Sequence, residues 1–358
     1  MSDVPDPTLS AVVINYNGGE RLVACIRSIH DHGVGVEEII LVDNGSQDGS
    51  VELALSAYPT TKVVRLNDNP GPSAARNRGL EAAANPLVLL ADSDTRLTPG
   101  AVAEMLGARA KTGAAVVCPR LIFAPGEDVV QCDGAAPHFI GTLILLNANT
   151  APDTGQPPVP VDGLISTFLL VDRAAALDAG GFNETFFFYF EDLEFGLRMR
   201  LRAHDIVSAS RAVVVHDRGS GYSGLSFRGS GAYPQRRAYL SMRNRLLTIA
   251  ICFRWRTMLV IAPALVLYEI ATLALALHRG WLPQWAASWR WLLANRGHVA
   301  EMRQAVQSRR ELPDRAILKG GPLPLTEGLV SNRVLKAMIS ALSAGLQLYW
   351  KVIRVAAG

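Results

Sequence analysis

A few acids and one histidine carry the chemistry legible in this chain. Asp92-Ser93-Asp94 follows the apolar run Leu89-Leu90-Ala91. Residues two apart in an extended segment point the same way, so both carboxylates can face one site where the strand ends. Hard divalent cations such as Mg2+ bind through one or two carboxylates while phosphate oxygens complete the shell. Alone, such a pair more often marks a solvated surface loop than a metal site. A second focus is Glu191-Asp192-Leu193-Glu194, which directly follows the aromatic run Phe186-Phe187-Phe188-Tyr189-Phe190. A carboxylate at a helix start is favoured by the helix dipole. Held at an apolar wall, it can instead serve as a general base. Asp43 closes the run Ile39-Ile40-Leu41-Val42, and His216 closes Ala212-Val213-Val214-Val215.

These positions need elements to hold them. Leu9 to Asn15 is a short β-branched run, broken by Asn17-Gly18-Gly19 before Leu22, Cys25, Ile26 and Ile29 recur at helical spacing. Glu38 to Asp43 is the next strand, so strand, helix and strand make the βαβ unit of a parallel sheet. Ser50 opens a helix toward Tyr58, Lys62 to Leu66 is a third strand, and Ser73 to Ala84 is a helix carrying Arg76, Asn77 and Arg78. Leu87 to Ala91 then delivers the two aspartates. Open α/β sheets bind ligands at the carboxyl ends of their strands, where Asp43 and Asp92 both fall. Beyond them the pattern predicts a helix over Ala101 to Lys111 and a strand over Ala114 to Cys118. An excursion over the sheet edge at 124 to 162 is rich in Pro, Gly, Asp and Asn. A helix over Arg173 to Ala179 is closed by Gly180-Gly181.

Composition narrows the function classes. From Arg236 to the end there are 18 Lys+Arg against 5 Asp+Glu, which leaves 17 against 27 for residues 1 to 235. The acidic front suits metal and argues against nucleic acid as a partner. The basic, apolar tail suits an anionic membrane face. No G-x-G-x-x-G follows the first strand and no G-x-x-x-x-G-K-[ST] occurs, which disfavours dinucleotide and P-loop sites. Cys25, Cys118, Cys132 and Cys252 lack zinc-ligand spacing, and Cys25 and Cys118 read as reduced core residues. Met1 to Pro7 lacks signal-peptide features, which places the first strand on the cytosolic side. Thr257 to Leu277 is long enough to span a bilayer, but Pro263 and Glu269 leave a span, a re-entrant segment and an in-plane helix open. Trp281, Trp285, Trp289 and Trp291 suggest an interfacial belt. A basic, apolar helix over Asn332 to Val355 could lie on a membrane or join an oligomer.

Six motifs in this order carry a resemblance: Val12-Val13-Ile14-Asn15-Tyr16-Asn17, Val42-Asp43-Asn44-Gly45-Ser46, Asn69-Pro70-Gly71 through Arg76-Asn77-Arg78-Gly79, Asp92-Ser93-Asp94, Phe190-Glu191-Asp192, and His216. Together they resemble the family 2 glycosyltransferases with the GT-A fold, over roughly residues 8 to 250. A looser likeness is to bacterial rhamnosyltransferase-like enzymes of cell-surface polysaccharide synthesis. The resemblance implies an α/β, Rossmann-like and mostly parallel sheet as a catalytic domain over 1 to 245. A helical membrane-associating or oligomerising region follows over 246 to 358. It implies inverting transfer of a sugar, rhamnose by the looser likeness, from a nucleotide-diphosphate donor to a lipid-linked or polysaccharide hydroxyl at the cytoplasmic face of the cell membrane. Asn15, Asp43, Asn69, Arg76 and Asp92 would bind the nucleotide. Asp94 and His216, with Asp92, would hold Mn2+ or Mg2+, and Asp192 would be the base with Glu191 supporting it. Arg243, in Arg243-Asn244-Arg245, would either touch donor phosphates or solvate a helix face. Two alternatives stay open: a nucleotidyltransferase making a nucleotide sugar, and a catalytically silent membrane scaffold.

Overall fold

The first half of the chain alternates strands and helices, as its periodicity expects. In the computed structural model, β1 (Leu9–Asn15), α1 (Glu20–His32), β2 (Val36–Asp43), α2 (Ser50–Ala57), β3 (Lys62–Arg65), α3 (Pro72–Ala82) and β4 (Leu87–Asp92) follow one another. The structure describes residues 8–124, 129–217, 233–323 and 333–357. Residues 1–7 and most of the glycine- and serine-rich stretch after His216 therefore lie outside the described residues. The side of α1 carrying Leu22, Cys25, Ile26 and Ile29 is buried. β1 and β4 are buried along nearly their whole length, as strands of a parallel sheet covered on both faces must be.

β5 (Thr95–Leu97), α4 (Ala101–Thr112) and β6 (Val116–Ala124) come next, and β6 runs well past the Cys118 end expected of it. Among the described residues, the 124 to 162 excursion contains four short strands: β7 (Val130–Cys132), β8 (Ala135–Pro137), β9 (Leu143–Leu145) and β10 (Val159–Val161). Their brevity hid them among turn residues. β11 (Phe168–Asp172), α5 (Arg173–Asp178), α6 (Glu191–Leu201) and β12 (Ile206–Asp217) complete the α/β part. The sheet order is β10-β12-β6-β11-β4-β1-β2-β3, with β5 against β12 and β7 against β6. β1, β2, β3 and β4 are mutually parallel, as are β6 and β12, while β11 is antiparallel to both neighbours.

Helices α7 (Gln235–Cys252), α8 (Trp255–Arg279), α9 (Leu282–Ala294), α10 (Arg296–Ser308), α11 (Asp314–Ile317) and α12 (Arg333–Ile353) follow. Two compact units divide the chain. The first comprises Met1–Ala135, Leu145–Phe188 and His204–Arg218, and the second Ala136–Ile144, Tyr189–Ala203 and Gly219–Gly358. α7 runs unbroken from Gln235 to Cys252. The second unit takes in α6 and the 136–144 segment together with the C-terminal helices.

Within that unit, α7 holds its neighbours through charge. Arg245 donates from Nε to the Ile140 carbonyl at 3.0 Å and from Nη1 to Glu269 Oε1 at 2.5 Å, and its guanidinium lies 4.3 Å from the Tyr268 ring centroid. Trp285 Nε1 also donates to Glu269, at 3.3 Å. The lone acid of α8 is thus paired. Trp281 is buried against Ala238 and Ala276, so the four tryptophans do not form one exposed belt.

Candidate active site

Parallel strands that start level also end level, and here the sheet sets three polar side chains in a row. Ile14 of β1 pairs with Asp92 of β4, and Asn15 pairs with Asp43 of β2. Asn15, Asp43 and Asp92 therefore share one carboxyl edge. Asp43 is buried; its Oδ1 accepts from the Ser46 amide at 3.2 Å, and its Oδ2 lies 3.7 Å from Arg65. Asn15 Nδ2 donates to Ser46 and Ser50 hydroxyls, both at 3.0 Å, which fixes the turn after β2. Asn69 joins this turn to the next: its Oδ1 accepts from Asn44 Nδ2 at 2.6 Å and from the Gly71 amide at 3.2 Å.

Arg76 enters from α3. Its helix lies close on β1 because residue 79 is glycine; a Cβ there would stand 2.1 Å from Val12 Cγ1. Arg76 is 3% exposed and donates to Asp92 Oδ1 at 2.6 Å, with its guanidinium 5.4 Å from the Phe182 ring centroid. Burial lifts the Asp92 carboxyl to about 6, with Arg76 opposing the rise and Asp94 adding to it. Asp94 goes the other way. Burial works against its charge, but the hydrogen bond and charge of His216, with Arg21 beyond, hold its carboxyl below the ordinary range. Two adjacent carboxylates thus differ through their partners.

His216 reaches Asp94 because β12 pairs with β5: His216 is opposite Thr95, and the Asp217 amide donates to the Asp94 carbonyl at 2.8 Å. Nε2 of His216 stands 3.4 Å from Asp94 Oδ2, and its Nδ1 is 2.6 Å from Oε1 of Gln131 on β7. With Nδ1–H donating to that oxygen, Nε2 is the ring nitrogen turned toward the Asp94 carboxylate. With a metal ion in place of the Nε2 proton, this carboxylate and imidazole would suit a divalent cation. Among the described residues no group of three or more His, Cys, Asp or Glu is placed to hold an ion alone. The protein would supply two ligands and the bound substrate the remainder. Gln131 is the residue that sequence reasoning missed, since a glutamine in a Pro- and Gly-rich excursion carries no signal of its own.

In the second unit, Asp192 and Glu191 begin α6, as the dipole argument expects. The three acids have different surroundings. Glu194 is fully buried and paired with Arg198 at 2.7 Å, Glu191 is buried, and Asp192 is only half-buried, its Oδ1 accepting from the Leu193 amide at 2.8 Å. The chain enters this helix through left-handed backbone at Phe187, Tyr189 and Phe190, with φ 61, 67 and 68°. Bulky residues rarely adopt that conformation, and such strain concentrates at functional sites. Asn244 Nδ2 holds the Tyr189 carbonyl at 2.7 Å and Arg237 covers the Tyr189 ring. Arg243 is buried, 4.8 Å from the Trp291 ring centroid, with Nε donating to Asn244 Oδ1 at 2.8 Å. It therefore does not solvate a helix face.

Residues 10–131 match the family described as Glycosyl transferase family 2. The N-acetylglucosaminyl-diphospho-decaprenol L-rhamnosyltransferase of Mycobacterium tuberculosis is 27% identical over 239 residues, covering 60% of this chain and 76% of that one. The low-salt glycan biosynthesis hexosyltransferase Agl10 of Haloferax volcanii is 25% identical over 247 residues, covering 67% and 74%. Among solved structures, GalNAc-T7 with UDP, GalNAc and Mn2+ superposes with TM-score 0.60 at 14% identity, covering 87% of this chain and 59% of that one. S. aureus TarS 1–349 in complex with UDP-GlcNAc superposes with TM-score 0.54 at 18% identity, covering 96% and 91%. These structural likenesses carry the fold.

Proposed function

We infer, for a chain that is a glycosyltransferase and whose residues 10–131 are a family 2 domain, that it moves a sugar from a nucleoside-diphosphate donor to a hydroxyl of a lipid-linked or polymeric glycan, with inversion. The observation that carries this reading is the level carboxyl edge bearing Asn15, Asp43 and Asp92, together with the Asp94–His216 contact in the same unit. Asp43, buried at a strand end, would read the nucleobase. Arg76 and Asp92, locked to each other, would orient the ribose and diphosphate. A relative named for a decaprenol-linked acceptor and for rhamnose supports a lipid-linked acceptor and a rhamnosyl donor, and a UDP-GlcNAc-bound neighbour supports a nucleotide sugar.

Asp94 and His216 would hold Mn2+ or Mg2+. That ion would offset the charge gathering on the leaving diphosphate, the largest electrostatic demand of the transfer. The acceptor oxygen forms its bond to the anomeric carbon as the bond from that carbon to the diphosphate oxygen breaks. The acceptor proton passes to Asp192, the half-buried acid of α6, with Glu191 supporting the helix start. Strained backbone before that helix supports this assignment, because it fixes where the helix starts. Direct transfer in one step inverts the anomeric centre, and no covalent enzyme intermediate forms. The acceptor would be met at the cytoplasmic face of the membrane.

The test is a donor screen with a polyprenyl-diphosphate-linked acceptor and Mn2+, scored for nucleoside diphosphate release. Asp192→Asn is expected to lower turnover about 10²–10⁴-fold while donor affinity stays within a few fold. Turnover close to wild type would remove Asp192 from the base role. Release of pyrophosphate instead would make the enzyme a nucleotidyltransferase.

A further inference from the structure

We propose that α8 and α12 form a side-on lipid-docking face, so that α8 lies in the plane of an anionic bilayer surface and does not cross it. The proposal rests on the membrane-associated reading above and adds the orientation. α8 is long and apolar enough to span a membrane, but its two sides differ. Trp255, Leu259, Val266, Leu267, Ile270 and Leu277 are exposed, and with the exposed Pro263 and Ala274 they form a stripe that recurs every three or four residues from Trp255 to Leu277 of this helix, roughly 37 Å long. On the opposite side Thr257, Ile261 and Ala264 are buried in the first half of the helix and Ala276 near its end.

That buried side is engaged in the middle and near the C-terminal end. Ala276 packs against Ala238 and Trp281, and Glu269 is tied to Arg245 and Trp285. Arg245 also binds the Ile140 carbonyl, so non-helical backbone lies beside the midpoint of α8. A transbilayer α8 would carry that backbone and its charged partners to the hydrocarbon centre, where irregular backbone and ions are most costly. A helix lying in the interface buries only its free side.

The face widens through α12, where Tyr349 Oη donates to the Val260 carbonyl at 2.7 Å and Trp350 stacks on Phe139. Met338, Leu348 and Val352 of α12 are exposed, as is Val355 just beyond it. Charge selects the occupant. α8, α9 and α12 contain one acid among them, the paired Glu269, whereas Arg256, Arg279, Arg290 and Lys351 are exposed around the apolar stripe. A second copy would bring like charge to this rim. Anionic headgroups complement it.

The test uses the full chain. Phosphatidylglycerol-containing vesicles are expected to sediment the wild type more than tenfold better than phosphatidylcholine vesicles. The double variant Leu267→Asp/Ile270→Asp, checked for a native far-UV spectrum, is expected to lose that binding. Arg256→Cys and His278→Cys, read separately in inside-out vesicles of expressing cells, then report the two ends of α8. The native cysteines among the described residues are buried. Labelling of both positions by a membrane-impermeant thiol reagent is the expected result. Labelling of one until detergent is added would overturn the in-plane orientation and leave membrane association standing. Failure of the wild type to sediment, with a dimer in light scattering, would overturn both.

Discussion

Gln131 does for His216 what an outer-shell acceptor does for a metal-bound imidazole: its Oε1 accepts the Nδ1–H hydrogen bond and leaves Nε2 facing Asp94. Gln131→Leu is expected to weaken Mn2+ binding about 10–100-fold, read directly by electron paramagnetic resonance with donor present. Gln131→Glu retains an acceptor and should stay within a few fold of wild type. Asp94→Ala serves as the reference. If it leaves Mn2+ affinity unchanged, the metal reading itself fails, and if it abolishes binding while Gln131→Leu does nothing, Gln131 has no positioning role. His216 and Asp94 were recognisable from their motifs. The partner of His216 was not, because a hydrogen bond across 85 residues leaves no local pattern.

At the scale of elements, the close approach of α3 to β1 decides where Arg76 points. Gly79→Ala puts a methyl group 2.1 Å from Val12 Cγ1. Either α3 must lift or Val12 must move, at a cost of about 1–3 kcal/mol. The expected outcome is a lower urea midpoint, with donor binding weakened further because Arg76 shifts from Asp92. An unchanged midpoint would mean the helix is free to move. Strand and helix positions in the βαβ half were legible because β-branched runs and 3.6-residue spacing each repeat. The 124 to 162 excursion was less so: three-residue strands are too short for periodicity, and only their partners β6 and β12 make β7 and β10 strands at all.

At the scale of the whole molecule, the helical unit ties distant segments through buried polar groups, and one of them titrates. His138 is fully buried, its Nε2 3.2 Å from the Gly321 carbonyl and its Nδ1 accepting from the Ile140 amide at 3.2 Å. Burial pulls its imidazole down to about 4, and nearby Arg245 adds to the drop against the Gly321 hydrogen bond. The unfolded chain protonates this ring near 6.5, so between 6.5 and 4 the unfolded state binds more protons. The contribution is complete above 6.5 and is lost as pH falls toward 4, by up to about 3 kcal/mol. Urea unfolding at pH 7 and pH 5 should show the drop, and His138→Gln should flatten it.

The sequence by itself determined the alternating α/β order, the carboxyl-edge acids and the split between an acidic front and a basic, apolar tail. Each of these is written in local spacing or in composition, which act before the chain closes on itself. Tertiary structure alone decided that Asp92 is bound to Arg76 while Asp94 faces His216, that Glu269 is neutralised by Arg245, and that α8 has one covered side and one free side. Those outcomes depend on contacts between segments far apart in the chain, where burial and pairing set the energy of every charge.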